Sequence, residues 1–168
     1  RGNVEEVELR FPWRIVRYHM VKDLSGAGKW RGGSGMHWEA LNLGSDGGMA
    51  TGSSDGDQTQ PPAAAGGMPG PLCKAYLQRD GERIVVKPHR MYQIRNGDLL
   101  VKTSGGGSGV GDPRERDPKK VLNDVIDEFI SLDVAEKIYR VAIDPITMEI
   151  NWEKTRTLRG EPEKESVK

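Results

Sequence analysis

The sequence predicts an α+β fold: a β-rich body with Gly-rich loops, followed by a short C-terminal helical pair. Three observations carry this expectation. Val16, Tyr18 and Met20 alternate with Arg17 and His19, and Met36, Trp38 and Ala40 alternate with His37, Glu39 and Leu41, the period-two pattern of half-buried strands. Asp80-Gly81 and Asn96-Gly97 each separate two β-prone runs, and both dipeptides suit type I′ hairpin turns. Past a run that places Gly105, Gly106, Gly107, Gly109 and Gly111 within seven positions, the period changes. Val121, Leu122, Val125, Ile126 and Phe129 then recur at helical spacing.

The elements follow in order. Pro12 limits the residues before it to an edge or a break. Residues 23–35 form a glycine-punctuated loop between the first two strands. Residues 44–71, with Pro61-Pro62 and Gly66-Gly67-Met68-Pro69-Gly70-Pro71, are too long and irregular for a simple connection, so they are functional, interfacial or mobile. Two hairpins are expected: Ala75–Gln78 with Arg83–Val86, and Met91–Ile94 with Leu99–Lys102. Asp117 is a good N-cap, and Pro118 at the first helical position loses no needed N–H. Ser131 caps a second short helix, with Val134, Ala135, Ile138 and Tyr139 facing inward, and Val141-Ala142-Ile143 reads as a short returning strand. The division is one module over 1–144 (β-rich 1–103, Gly-rich joint 104–117, helical 118–140) and a charged C-terminal tail over 145–168 that hugs the surface or frays.

Composition excludes several classes. The 168 residues carry 25 basic and 25 acidic side chains, a formal charge of +0, which leaves no electrostatic footprint for nucleic acid or an anionic membrane. No stretch approaches the roughly 20 apolar residues of a membrane span, and no signal peptide is visible. A single cysteine, Cys73, permits no intrachain disulfide and fits a reducing compartment, so a cytoplasmic location is expected. Hydrophobic residues make up only 35%, below the usual share even with the 22 glycines added, which points to a loop-rich domain leaning on partners and to disordered ends. The chain starts at Arg1 without an initiator Met, as a trimmed chain or a piece of something longer would.

No residue set stands out as catalytic, cofactor-binding or metal-binding. Gly106 and Gly111 have P-loop spacing, but Asp112-Pro113 stand where the motif needs Lys-Ser/Thr, which argues against phosphate. His19, His37 and His89 are scattered, and none has a partner at metal-ligand spacing. Asp55-Gly56-Asp57 lacks the third acidic position and closing Glu of a calcium loop. Cys73 reads as a small buried hydrophobe, and Ser108, in Gly107-Ser108-Gly109, lacks the spacing of a nucleophile elbow. Trp13 beside Arg14 and Trp30 beside Arg31 read as aromatics with a neighbouring cation. The loop Gly105, Gly106, Gly107, Ser108, Gly109, Gly111 and Asp112 remains as the interface candidate, because glycine lets backbone lie close against another surface.

Several motifs in one order resemble the C-terminal region of the hydantoinase B/oxoprolinase family. They are Gly26-Ala27-Gly28-Lys29-Trp30-Arg31-Gly32-Gly33-Ser34-Gly35, Ala65-Gly66-Gly67-Met68-Pro69-Gly70, Asn96-Gly97-Asp98, Thr103-Ser104-Gly105-Gly106-Gly107 and Gly111-Asp112-Pro113-Arg114-Glu115-Arg116-Asp117-Pro118. Val121-Leu122-Asn123-Asp124-Val125, Ser131, Ala135, Tyr139, Val141 and Ile143 continue the pattern, so the resemblance runs from about Glu6 to about Asp144. Family members are large subunits of ATP-dependent hydantoinases, oxoprolinases, lactamases and ketone carboxylases. Most relatives read Gly-Gly-Gly-Gly-Tyr-Gly-Asp-Pro where this chain has Gly105-Gly106-Gly107-Ser108-Gly109-Val110-Gly111-Asp112-Pro113, and the stretch from Thr51 to Gly56 looks more like the acetone and acetophenone carboxylases.

The resemblance therefore implies a module of a multi-subunit ATP-dependent ketone carboxylase, a ligase that joins ketone and bicarbonate into a β-keto acid. It implies a role mainly in assembly and active-site completion. Its rivals are a module of an ATP-dependent cyclic-amide hydrolase and a non-catalytic assembly subunit. The implied partners are a hydantoinase A-like ATP-handling subunit and the remaining hydantoinase B-like subunit. ATP with Mg and a divalent metal (Mn or Zn) would be held by those partners, since the family's metal ligands lie outside the matched region.

Overall fold

A computed structural model describes residues 3–51 and 56–160. Residues 52–55 and 161–168 lie outside the described residues, and with them most of the stretch from Thr51 to Gly56, Asp55 of the calcium-loop comparison and the charged end of the tail. The described elements are helix α1 (Val4–Arg10), strands β1 (Trp13–Met20), β2 (Met36–Asn42), β3 (Gly48–Thr51), β4 (Lys74–Arg79), β5 (Glu82–Val85), β6 (Met91–Ile94) and β7 (Leu99–Thr103), a 3-10 turn (Pro113–Glu115), and helices α2 (Pro118–Ile126), α3 (Leu132–Lys137) and α4 (Trp152–Arg159). Strands and helices segregate along the chain, so the fold is α+β. No helix among the described residues is long and apolar enough to cross a membrane.

Two compact units share the chain, which passes between them at residues 20/21, 34/35, 60/61, 71/72 and 105/106. The first holds Arg1–Met20, Gly35–Gln60 and Leu72–Gly105, and with them the seven strands. Its main sheet is antiparallel in the order β1-β2-β7-β4-β5, and β3 pairs with β6 in a separate two-stranded sheet. Ala40, Leu77, Val101 and Ile94 are buried in this unit. Asp80 (φ 50°) and Gly81 (φ 83°) both take the left-handed conformation a type I′ turn requires, and the β4–β5 hairpin closes on Arg79 opposite Glu82.

The second expected hairpin does not form. Gly97 has a positive φ (84°) but Asn96 does not, so the pair is not a type I′ turn. β6 joins β3, whereas β7 runs between β2 and β4. Asp98 holds this corner: its buried carboxylate accepts the Arg79 guanidinium (Nε, 2.9 Å) and the Arg95 N–H (2.7 Å), and its carbonyl accepts the Asn42 N–H. These bonds hold the Asp98 carboxyl below the usual carboxylate range, the Arg79 hydrogen bond being the largest cause.

The second unit holds Val21–Ser34, Pro61–Pro71 and Gly106–Lys168. Its core is Ala27, Val121, Val125, Ile130, Ala135, Tyr139 and Val141. Asp117 caps α2 by accepting the Lys119 N–H, and Ser131 caps α3 by accepting the Val134 N–H, as their side chains predict. Ile126, expected on the apolar face of α2, ends that helix and is exposed. Val141-Ala142-Ile143 is no strand; only Ile143 makes a bridge, to Ile150.

Two helices stand where none was expected. α1 fills the stretch before Pro12, capped by the Asn3 side chain. α4 occupies the supposed tail: Asn151 accepts the Lys154 N–H at its start, and Gly160 closes its end at φ 68°. Thr155 on α4 is buried and accepts the Ala142 N–H at 3.0 Å, and Arg159 Nη2 donates to the Tyr139 carbonyl, so this segment is packed rather than frayed.

Candidate functional site

Within the second unit, three glycine-punctuated segments lie backbone against backbone: residues 24–34, 61–70 and 106–112. Gly26 N–H donates to Gly107 O (2.8 Å), Gly107 N–H to Gly33 O (2.8 Å), Gly109 N–H to Met68 O (2.9 Å), Met68 N–H to Ala27 O (2.8 Å) and Gly111 N–H to Ala64 O (3.0 Å). Trp30 and Val110 exchange both bonds at 2.9 Å. This closeness excludes side chains. A Cβ on Gly106 would sit 2.1 Å from Leu24 O, on Gly109 2.0 Å from Ala27 O, on Gly32 2.0 Å from Gly107 O, on Gly67 2.2 Å from Gly109 O, and on Gly70 2.1 Å from Gly106 O. All are backbone atoms, which cannot swing aside as a side chain can. The glycines of three distant stretches are thus requirements of one another.

The seven interface candidates fall into different surroundings. Gly106 and Gly109 are buried in this crossing. Gly107 is exposed, and a Cβ there would meet Gly33 N at 3.1 Å, a tight but not prohibitive approach. Ser108 pins two loops, donating its hydroxyl to Pro61 O (2.6 Å) and accepting the Gly70 N–H (3.1 Å). Gly111 needs its glycine for φ 77°. Gly105 belongs to the first unit, where its N–H donates to Cys73 Sγ at 3.1 Å. Asp112 caps the 3-10 turn, accepting the Arg114 N–H (2.8 Å) and pairing with its guanidinium, which lowers the Asp112 carboxyl to about 2.

This geometry does not suit phosphate binding. A phosphate cradle needs free N–H groups converging on the anion, and those of Gly107, Gly109 and Gly111 already donate to carbonyls of this chain. Among the described residues no group of three or more His, Cys, Asp or Glu side chains is placed to hold a metal.

Two polar clusters were not visible as such in the sequence. In the second unit, Asp124 on α2 accepts Arg116 Nε at 2.9 Å and lies 3.3 Å from Arg31 Nε. All three side chains are largely buried, so two guanidiniums share one carboxylate. Arg31 also stacks over Phe129 (4.6 Å) and donates to Gly32 O and Ser34 Oγ, while Arg116 Nη1 donates to Lys29 O. The cluster locks the first glycine segment to α2. Next to it, burial pushes the Tyr139 phenol up. Trp30 is paired not with Arg31 but with Lys120, whose Nζ lies 5.2 Å from the ring centroid.

In the first unit, His37 uses both ring nitrogens, Nδ1 at 2.9 Å from Thr103 Oγ1 and Nε2 at 2.8 Å from Glu39 Oε1. His19 lies against its ring at 5.1 Å, and Arg17 is 3.7 Å from Glu39. With both nitrogens engaged by its own sheet, His37 ties β2 to β7. The alternation of polar residues along β2 was the only signal for this face.

A sequence model described as hydantoinase B/oxoprolinase matches residues 1–113. The caprolactamase subunit beta of Pseudomonas jessenii is 34% identical over 149 residues, covering 85% of this chain and 25% of the relative. The acetophenone carboxylase delta subunit of Aromatoleum aromaticum is 27% identical over 189 residues, covering 94% of this chain and 28% of the relative. The crystal structure of the ATP-dependent caprolactamase from Pseudomonas jessenii superimposes with a TM-score of 0.75 at 30% identity, over 95% of this chain and 28% of that one. The chain thus spans about a quarter of the length of each of these relatives.

Proposed function

Because the chain belongs to the hydantoinase B/oxoprolinase family, we propose that it works as one segment of a large subunit in an ATP-dependent enzyme acting on a carbonyl compound. The observation that carries this reading is the pattern of coverage: nearly all of this chain aligns, over about a quarter of each relative. Its own contribution is architectural. The interlocked glycine segments and the Arg31–Asp124–Arg116 cluster tie three distant stretches and α2 into one packed unit. ATP handling falls to a hydantoinase A-like partner, and metal binding to the rest of the hydantoinase B-like subunit.

For the reaction, ATP-dependent opening of a cyclic amide is supported by the caprolactamase subunit at 34% identity and by its structure at 30%. Ketone carboxylation with bicarbonate is the second reading. It is favoured by the Gly105-Gly106-Gly107-Ser108-Gly109-Val110-Gly111 departure and supported by the acetophenone carboxylase subunit. ADP release by the intact complex separates them. Release driven by a lactam or hydantoin without bicarbonate marks the hydrolase. Release that needs a ketone and bicarbonate together, with labelled bicarbonate fixed into product, marks the carboxylase. No ADP release with any of these substrates would overturn both.

A further inference from the structure

From Val4 to Met20 not one residue is buried, although the stretch includes Val4, Val7, Leu9, Phe11, Trp13, Ile15, Val16, Tyr18 and Met20. Leu9 is 88% exposed, Phe11 56%, Val16 53%, Tyr18 44% and Met20 59%. Large hydrophobics scattered singly are normal, but five within twelve residues form a patch that calls for cover. A seven-residue helix is also too short to hold itself in water and needs an apolar face packed on something.

β1 is moreover an edge strand, paired on one side with β2. Register puts Tyr18 opposite Trp38 and Met20 opposite Met36, so these four side chains share one face of the sheet. The first part of the edge is managed: the register shifts between Ile15 and Arg17, and Glu8 Oε1 takes the Ile15 N–H at 2.7 Å. The stretch Arg17–Met20 has no such device, no proline and no lysine. Along β1 the charged and titratable groups are Arg14, Arg17, Tyr18 and His19, and Glu39 on β2 lies 3.7 Å from Arg17 and bonds the His37 ring against which His19 packs.

We propose that the β1 edge from Arg17 to Met20, with Tyr18, Met20, Met36 and Trp38, docks an extended segment of the remaining hydantoinase B-like polypeptide. That segment adds a strand to the sheet, its apolar side chains over Tyr18 and Met20 and its polar ones on the opposite face, beside Arg17 and His19. The occupant follows from coverage: in the matched relatives the stretch matching this chain is continuous with a polypeptide about three times as long again, which on the proposed reading lies in the same subunit as this edge. The opposite edge, β5, is four residues long and carries Glu82 and Arg83, a shorter and more charged rim.

The inference rests on the reading of the chain as part of a hydantoinase B-type subunit, and the test separates the two. A benzoylphenylalanine is placed at Tyr18, and in a second preparation at Val85 on β5, in the intact complex, which is irradiated and digested. The proposal expects crosslinks from position 18 to a peptide of the remaining hydantoinase B-like polypeptide, at least ten-fold above those from position 85. It also expects that the Tyr18→Asp/Met20→Asp double variant lowers the recovered complex at least ten-fold while Val85→Asp does not. Crosslinks from position 18 only to the ATP-handling partner or to a second copy of this segment would overturn it, as would none at all in an intact complex, with the family reading left standing. If no hydantoinase B-like remainder is present in the purified protein, the family reading and the proposal fall together.

Discussion

Gly109→Ala is the sharpest test of the glycine crossing. The added Cβ would lie 2.0 Å from Ala27 O and 2.3 Å from Ala27 C, against an ordinary contact of 3.4 Å or more. The 24–34 and 106–112 segments must part by about 1.4 Å, and overpacking of this kind costs roughly 1–3 kcal/mol. The separation stretches the Gly109–Met68, Met68–Ala27 and Trp30–Val110 bonds, each worth about 1 kcal/mol net. Losing two of these with the overpacking gives a destabilisation of about 3–5 kcal/mol, or a drop on the order of 10 °C in Tm for a chain of this size. Gly33→Ala is the matched control, because nothing lies within 4 Å of its Cβ, and it should change stability by less than about 0.5 kcal/mol. Differential scanning calorimetry reads both. Equal melting temperatures for the two variants would refute the claim that residue 109 is glycine because of backbone contact.

Asp124→Asn leaves the Arg31 and Arg116 guanidiniums largely buried without their carboxylate, and chemical denaturation should show a loss of about 3 kcal/mol. Asp112 is held at about 2 by Arg114, below the unfolded value near 4; its contribution is present above about pH 4 and is lost as pH falls through about 2. Carboxyl NMR titration should show Asp112 rising toward the ordinary carboxylate range in Arg114→Ala while staying below it, because the backbone N–H of residue 114 still donates to the carboxylate. Tyr139→Ala empties the largest fully buried side chain of the second unit's core and should cost about 3–5 kcal/mol in a thermal melt; a loss under about 1 kcal/mol would mean that Tyr139 does not anchor this core.

Local chemistry was legible where it acts within a few residues. Asp117-Pro118 and Ser131 start their helices as their side chains dictate, and Asp80-Gly81 turns its hairpin. Asn96-Gly97 looks the same in sequence but behaves differently. Its fate is decided by Asp98 reaching Arg79 on another strand, a contact 19 residues away that no local rule contains. The glycines could be counted but not sorted: Gly33 and Gly107 stand among neighbours that cannot be replaced, and only the partner backbone tells them apart. β1 shows the converse error. Its alternation reads as a half-buried strand, yet Val16, Tyr18 and Met20 are exposed, because β1 lies at the edge of its sheet and pairs only with β2, a place in the topology that the alternation does not encode. The local marks of α4 are Asn151 at its start and Gly160 at its end, and its charged composition gives no apolar stripe to go with them. Arg31, Arg116 and Asp124 lie up to 93 positions apart and had no sequence signature.

Native mass spectrometry of the untagged protein from its source tests the central claim most directly. The account predicts that the polypeptide bearing these 168 residues appears in one assembly with the remaining three quarters of a hydantoinase B-like subunit, as part of the same chain or as a second one, together with a hydantoinase A-like subunit. A species of this segment alone, with neither companion in any charge-state series, would contradict it.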